Sequence, residues 1–188
     1  MSNTTATSSS TSTSIPAGTW TVDPTHTRIG FVARHMMVTK VRGTFQDFSA
    51  DIHVADDPLA STLTAEVQMA SIDTGNADRD GHLRANDFFD VEQHPTMRLV
   101  ATGFEGSGSS YVMHADLTIK GVTRPVEFDL EFDGVGQDPW GGTRAGFTAE
   151  GEINRKDWGL EWNVALEGGG VLVGEKIKLS LDVELVKA

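Results

Sequence analysis

The chain's six histidines are its first candidates for chemistry: His26, His35, His53, His82, His94 and His114. None stands in an HxxxH or HExxH pair, and no cysteine supports them. They read as surface or hydrogen-bonded histidines, and no metal site is expected. His35 differs because it falls on the apolar phase of its strand. There it is either a polar handle inside a cavity or a residue just past the strand end. A Ser-His-Asp hydrolase needs a GxSxG elbow on a strand-turn-helix, and the chain has none. Paired carboxylates for sugar hydrolysis are conceivable in so acidic a chain, but most Asp and Glu fall on outward strand phases, where they keep a sheet soluble. Gly141-Gly142 and Gly168-Gly169-Gly170 match neither GxGxxG nor GxxxxGK followed by Ser or Thr, so they read as loops or bulges. Trp140, Trp158 and Trp162 lie close together; packing is their default role, and a wall for an aromatic or polyene ligand is the alternative. The charged run Asn154-Arg155-Lys156-Asp157-Trp158-Gly159 follows a clean strand. It is either an exposed turn with an Arg–Asp pair worth about 0–1 kcal/mol, or it sets Arg155 near a mouth where an anionic head group would meet it. No catalytic residues and no cofactor are assigned.

Strands must position these groups. Lys176–Leu185 alternates Ile177, Leu179, Leu181, Val183 and Leu185 with Lys178, Ser180, Asp182 and Glu184. That period of two marks one apolar and one wet face. Pro125–Asp133 and Ser61–Ala70 repeat it. Weaker alternation runs through Arg28–Met36, Ser49–Val54, Met97–Gly103, Ser110–Ile119 and Thr143–Arg155, with a short candidate at Trp20–Asp23. Glycines and polar clusters such as Glu105-Gly106-Ser107-Gly108-Ser109 separate the runs, as hairpins require. One stretch, residues 76–89, breaks the rhythm and predicts a short helix entered from Asp73-Thr74-Gly75 and ended near Asn86. The result is an all-β antiparallel sandwich or barrel. Ala65, Ala149 and Gly151 sit among large residues on apolar phases, which leans toward a hollow barrel. Eight strands would leave room for filling side chains or one slender apolar ligand.

Length and composition narrow the function classes. The 188 residues suffice for one domain. Residues 1–17 read as a disordered Ser/Thr-rich tail and 18–188 as a single barrel domain; eleven of the first fourteen residues are Ser or Thr. The net charge of −12 argues against nucleic acid and gives no reason to sit on an anionic membrane surface. With no cysteine, disulfides, thiolate metal sites and Cys nucleophiles are excluded. No apolar run is long enough to span a bilayer. No basic-then-apolar leader stands at the start, so the expected location is cytoplasmic.

Several segments, taken in order, carry a resemblance. They are Trp20–Asp23, His26–Phe31, His35, Val41–Phe45, Arg79–Arg84, Asp87–Asp90, His94–Met97, Ala115–Pro125 and Ile153–Leu160. This series resembles the YceI-like family of polyisoprenoid-binding proteins, from about Trp20 to the C-terminus. The resemblance implies a lipocalin-like eight-stranded antiparallel barrel with a short helical insertion near residues 76–89. It implies an apolar pore that takes a long isoprenoid chain, such as a polyprenyl phosphate or a quinone tail. It also implies binding or carriage rather than catalysis, and a homodimer. Many relatives carry Phe or Tyr where Trp158 stands, and many are exported. The pore residues themselves follow from strand phase: Phe31 and Ala33; Leu63 and Val67; Met113 and Leu117; Phe128 and Leu130; Phe147 and Ala149; Leu179 and Leu181. His35, Arg155 and Trp158 complete the expected ligand-binding set. The rival is an enzyme acting on a lipid-like substrate through a pore histidine, His35 or His82. A third reading is a filled barrel that binds nothing.

Overall fold

In a computed structural model, residues 14–188 are described, so most of the expected tail lies outside the described residues. The strands are β1 (Gly18–Val22), β2 (Arg28–His35), β3 (Thr39–Phe45), β4 (Phe48–Val54), β5 (Thr62–Gln68), β6 (Ile72–Asp73), β7 (Thr96–Ser107), β8 (Ser110–Ile119), β9 (Val122–Gln137), β10 (Thr143–Asn154) and β11 (Val173–Lys187). One helix, α1 (Ala77–Arg84), follows β6. The sheet is antiparallel, and eight strands close into a ring in the order β1-β4-β5-β7-β8-β9-β10-β11 and back to β1. The remaining three extend it from the other half of β11, in the order β2-β3-β6.

Two strands escaped the periodicity. β6 is two residues long, too short to show a period. In β3 the inward phase reads Val41, Gly43, Phe45, and the glycine interrupts the apolar signal. Gly43 is there because Phe31, its partner on β2, lies across it. A Cβ at Gly43 would fall 2.3 Å from the Phe31 ring. Phe128 covers Gly151 in the same way, 3.1 Å from where a Cβ would stand.

Two more strands run further than their alternation. β7 continues past Gly103 and β9 past Asp133 because each carries a register shift, near Ala101/Gly103 and opposite Gly146/Phe147. A bulge adds one residue and flips the phase. Phe104 and Val135 therefore pack inward although they fall off their strands' earlier period.

The helix is shorter than the expected 76–89 segment. Asn76 caps it by accepting from the Arg79 N–H at 2.9 Å. It is a polar helix, held by hydrogen bonds more than by burial. Asp80 is buried and accepts from the N–H and the hydroxyl of Thr74. Arg84 donates to the carbonyls of Ala70 and Ile72.

The core falls into clusters along the pore. At one end Trp20 is fully buried with Ile52, Phe132 and Leu185. Its indole N–H donates to the Pro16 carbonyl at 3.0 Å, and Ile15 packs on the same cluster. The last residues of the expected tail, 14–17, thus lie against the barrel end.

Gly43→Ala should push the Phe31 ring off its seat and into the pore. The expected cost is about 1–3 kcal/mol of unfolding free energy, read by urea denaturation, with a smaller cavity. A variant of unchanged stability would show that the ring moves without strain.

Candidate functional site: an apolar chamber with a buried arginine

The inward phases do not fill the barrel. A chamber of about 520 Å³ occupies the end near α1 and the β2–β3 hairpin, and a smaller one of about 180 Å³ lies toward Trp20. Ile29, Ala65, Val67, Leu99 and Leu181 border both. Two small side chains, Ala65 and Ala149, are among the residues that border the smaller chamber. The larger chamber is within the usual range for small-molecule sites, roughly 300–1,000 Å³.

The structure places most of the sequence-expected residues on these walls. Phe31, Ala33, His35, Leu117, Phe128, Arg155 and Leu179 line the larger chamber, and Leu63, Met113, Leu130, Phe147 and Ala149 the smaller. Val67 and Leu181 border both. Trp158 is not brought in. It is buried in the barrel wall, where its indole N–H donates to the Leu117 carbonyl at 3.0 Å.

The helical segment and the loop before β11 add residues that strand phase did not reach: Leu83, Phe88 and Phe89, Leu160, Trp162 and Leu172. The visible signal was the pair Phe88-Phe89 within an otherwise polar stretch. These residues form one end of the chamber around a few polar groups. His82 meets the rings of Trp162 and Phe88 edge-on, with centroids at 4.5 Å and 5.2 Å. Its Nε2 lies 2.7 Å from an Asp87 carboxylate oxygen. Arg79 hydrogen-bonds Thr74 and lies exposed at the chamber rim.

Arg155 is the unusual group. The sequence left it either in an exposed turn or near a mouth. It sits instead in a 3₁₀ turn, only 3% exposed, with its guanidinium 5.9 Å from the Phe88 ring centroid. Its hydrogen bonds go to the backbone carbonyls of Leu160, Val173 and Gly174. It forms no ion pair among the described residues. Burial pushes its pKa down, and Glu175, acting through space, only partly opposes this. A buried cation held by neutral carbonyls keeps most of its charge uncompensated, so it favours an anion that arrives.

A second polar cluster lies outside the barrel, at the corner between β1 and β2. Asp23, His26 and Glu184 bring their ligand atoms within 4.8 Å of one another. Sequence spacing could not show this, because the three come together only in the fold. The cation position there is taken by Arg144, at 2.6 Å from Asp23 and 2.5 Å from Glu184, with Asp138 at 2.9 Å. Hydrogen bonds from His26 and Arg144 hold Asp23 well below the usual carboxylate range, and Arg144 lowers Asp138 likewise. The cluster fastens the corner: the Glu184 carbonyl accepts from the Asp23 N–H, and the Glu184 N–H donates to the Thr27 hydroxyl.

Fold and chamber together define a closed β-barrel with a hollow apolar interior. The family model described as "YceI-like domain" matches residues 20–185. A UPF0312 protein of Staphylococcus epidermidis is 42% identical over 164 residues, covering 86% of this chain and 94% of its own. The chain belongs to the YceI-like family. Among solved structures, Burkholderia cenocepacia BcnA matches with a TM-score of 0.72 at 20% identity, over 87% of this chain and 98% of that one. A polyisoprenoid binding domain from Saccharophagus degradans matches with a TM-score of 0.64 at 14% identity, over 90% and 98%. At these identities the structures show a shared fold.

The corner cluster makes a pH-dependent prediction. Carboxylates with lowered pKa values stabilise the fold above their ordinary pKa of about 4, and that stability is lost as pH falls through the lower folded values. Arg144→Met should therefore lower the melting temperature at neutral pH. The gap to the parent protein should close as pH falls below about 4, where the stranded carboxylates take up protons. Melting curves across pH check this; a gap independent of pH would show that Arg144 acts by packing alone.

Proposed function

We propose that the protein binds and carries a long-chain isoprenoid lipid, with the chain in the pore and an anionic head group at Arg155. The observation that carries this reading is a large apolar chamber with a buried, unpaired guanidinium in its wall. The likeness to a polyisoprenoid binding domain supports it. The two adjoining chambers suit a molecule longer than it is wide. The driving force is ample: at about 25 cal/mol per Å², burying a few hundred Å² of isoprenoid yields several kcal/mol. Ordering a flexible chain takes part of this back. Arg155 favours a polyprenyl phosphate over a quinone, because a phosphate gives a planar guanidinium the charge it lacks.

The rival reading, catalysis on a lipid-like substrate, has one observation in its favour: His82 lines the chamber and its ring nitrogen lies 2.7 Å from the carboxylate of the exposed Asp87. No Ser, Cys or Lys nucleophile lines the larger chamber beside it among the described residues. Under the carrier reading, His82→Gln keeps ligand binding.

The experiment is native mass spectrometry of the purified protein, with mass analysis of its organic-solvent extract and titration with added polyprenyl phosphate. The expected result is a stoichiometric isoprenoid species. A protein that comes empty and takes up no added lipid overturns the reading. Phe147→Asp places a carboxylate beside Phe132, whose ring centroid is 5.2 Å from that of Phe147. It should abolish uptake while the far-UV spectrum stays strand-rich. Arg155→Lys should weaken the phosphate-headed lipid by about tenfold or more, and leave the corresponding polyprenyl alcohol within a few-fold.

A further inference from the structure

The turn between β2 and β3 has the wrong residues for its shape. The Val38 N–H donates to the His35 carbonyl at 3.0 Å, closing a four-residue turn. Both central residues, Met36 and Met37, have positive φ, 51° and 59°. A hairpin turn of this kind is normally Asn-Gly, because other L side chains are strained there. Two methionines carry that strain for little burial: Met36, Met37 and Val38 remain 46%, 57% and 75% exposed. Neither turn chemistry nor core packing accounts for them.

The charge around this tip is the reverse of the chain's. Residues 24–46 hold Arg28, Arg34, Lys40 and Arg42 and no Asp or Glu, whereas the whole chain carries −12. All four are exposed. Pairing of Arg34 with Lys40 and of Val32 with Arg42 puts them on one outward face, and Lys178, opposite Val32 on β11, joins them. Acidic outward residues begin on the flanking strands, with Asp182 opposite Arg28 on β11 and Asp73 opposite Thr44 on β6, and continue further round the barrel with Glu150 on β10 and Glu127, Asp129 and Glu131 on β9. The hairpin is thus a locally basic, apolar-tipped segment of an acidic molecule. The hairpin is also part of the larger chamber's wall. Ala33, His35 and Val41 line it, and the Met36 N–H donates at 2.8 Å to the carbonyl of Leu172, which lines it too.

We propose that the Met36-Met37-Val38 tip inserts into the surface of an anionic lipid bilayer, with Arg34, Lys40 and Arg42 on its phosphates. This docks the adjoining end of the chamber on the membrane. The inference extends the carrier reading and depends on it only for what passes through the docked end. Unbranched, polarisable methionines suit an irregular lipid surface. Basic residues beside an apolar insert add the electrostatic attraction that marginal insertion needs. The net charge of the chain had argued against such a surface; the local reversal outweighs it, because screening confines the attraction to charges within about 10 Å of the lipid.

The test is flotation of the full chain with phosphatidylcholine vesicles, with and without phosphatidylglycerol. The parent protein should float with the anionic vesicles and release as salt is raised. The double variant Met36→Asn, Met37→Gly supplies the preferred turn and removes the apolar tip. It should melt at the same temperature or higher and bind polyprenyl phosphate in detergent as before, yet partition about tenfold or more less onto vesicles. Lys40→Gln with Arg42→Gln should lose about fivefold per charge, on anionic vesicles alone. A parent protein that ignores anionic vesicles, or a double variant that floats undiminished, overturns the proposal. So does concentration-dependent dimerisation that the double variant loses while vesicle binding is absent, which would assign the tip to a second copy. Detergent-phase lipid binding without vesicle binding overturns docking and leaves the carrier reading; the converse overturns the carrier reading and leaves docking.

Discussion

A β-barrel has to satisfy the backbone donors and acceptors of every strand, and in this protein one strand closes the account. β11 pairs with β10 along its length from Lys176 to Val186, and on its other side with β2 and then with β1. Its C-terminal pairing with β1 shuts the ring; its N-terminal half carries the extension β2-β3-β6. The same strand turns Leu179, Leu181, Val183 and Leu185 inward, so the ladder that removes the sheet edge also supplies one wall of both chambers. Closure and cavity are therefore one event.

The corner between β1 and β2 follows from that arrangement. Two strands must leave the side of β11 in different directions, β1 toward β4 and β2 toward β3. The chain between them gives up regular pairing, and the Asp23, Glu184, Asp138 and Arg144 group ties it down from outside. Charge is placed where water can reach it. Arg155 breaks this rule, at a desolvation cost that its three carbonyl partners only partly offset. Those carbonyls belong to Leu160, Val173 and Gly174, so the side chain also straps the loop before β11 onto the start of that strand. The strap alone would be served by a neutral donor; the charge is what the site adds.

Much of this was legible in the sequence, for identifiable reasons. Strands with one wet and one apolar face announce themselves, and residues on the apolar phase, from Phe31 to Leu181, line the pore because alternation fixes direction. Legibility failed where the period was broken by design. Gly43 silenced β3, because a glycine that makes room for a ring carries no apolar signal. The bulges in β7 and β9 flipped the phase, which hid Phe104 and Val135. The chamber end built from α1 and the loop before β11 has no period, so Phe88 and Trp162 could be suspected only by type. Trp158 erred the other way: a large aromatic in the right segment, but with an indole N–H that needed a backbone carbonyl and found it in the wall. Arg155 and Arg144 depended on contacts between distant strands. No spacing rule could tell the buried cation from the one paired outside.

The two ends of the pore are unlike, and under the proposed carrier reading the difference would give a lipid a direction. At one end Trp20 is fully buried among Ile52, Phe132 and Leu185, with Ile15 across it, and no charged side chain lines that chamber among the described residues. At the other, polar groups reach the chamber: Arg79 at the rim, His82 and His35 on the wall, and Arg155 within it. A chain with one polar head would lose its head group's hydration at the Trp20 end and recover nothing. At the Arg155 end the same head meets a charge already desolvated and held in place, so the protein needs little reorganisation on binding. Under the proposed reading the apolar tail would point toward Trp20, past Ala65 and Ala149. Under the proposed carrier reading, entry would be tail first from the end beside the β2–β3 hairpin, with the head at Arg155, the only buried cation in the wall among the described residues.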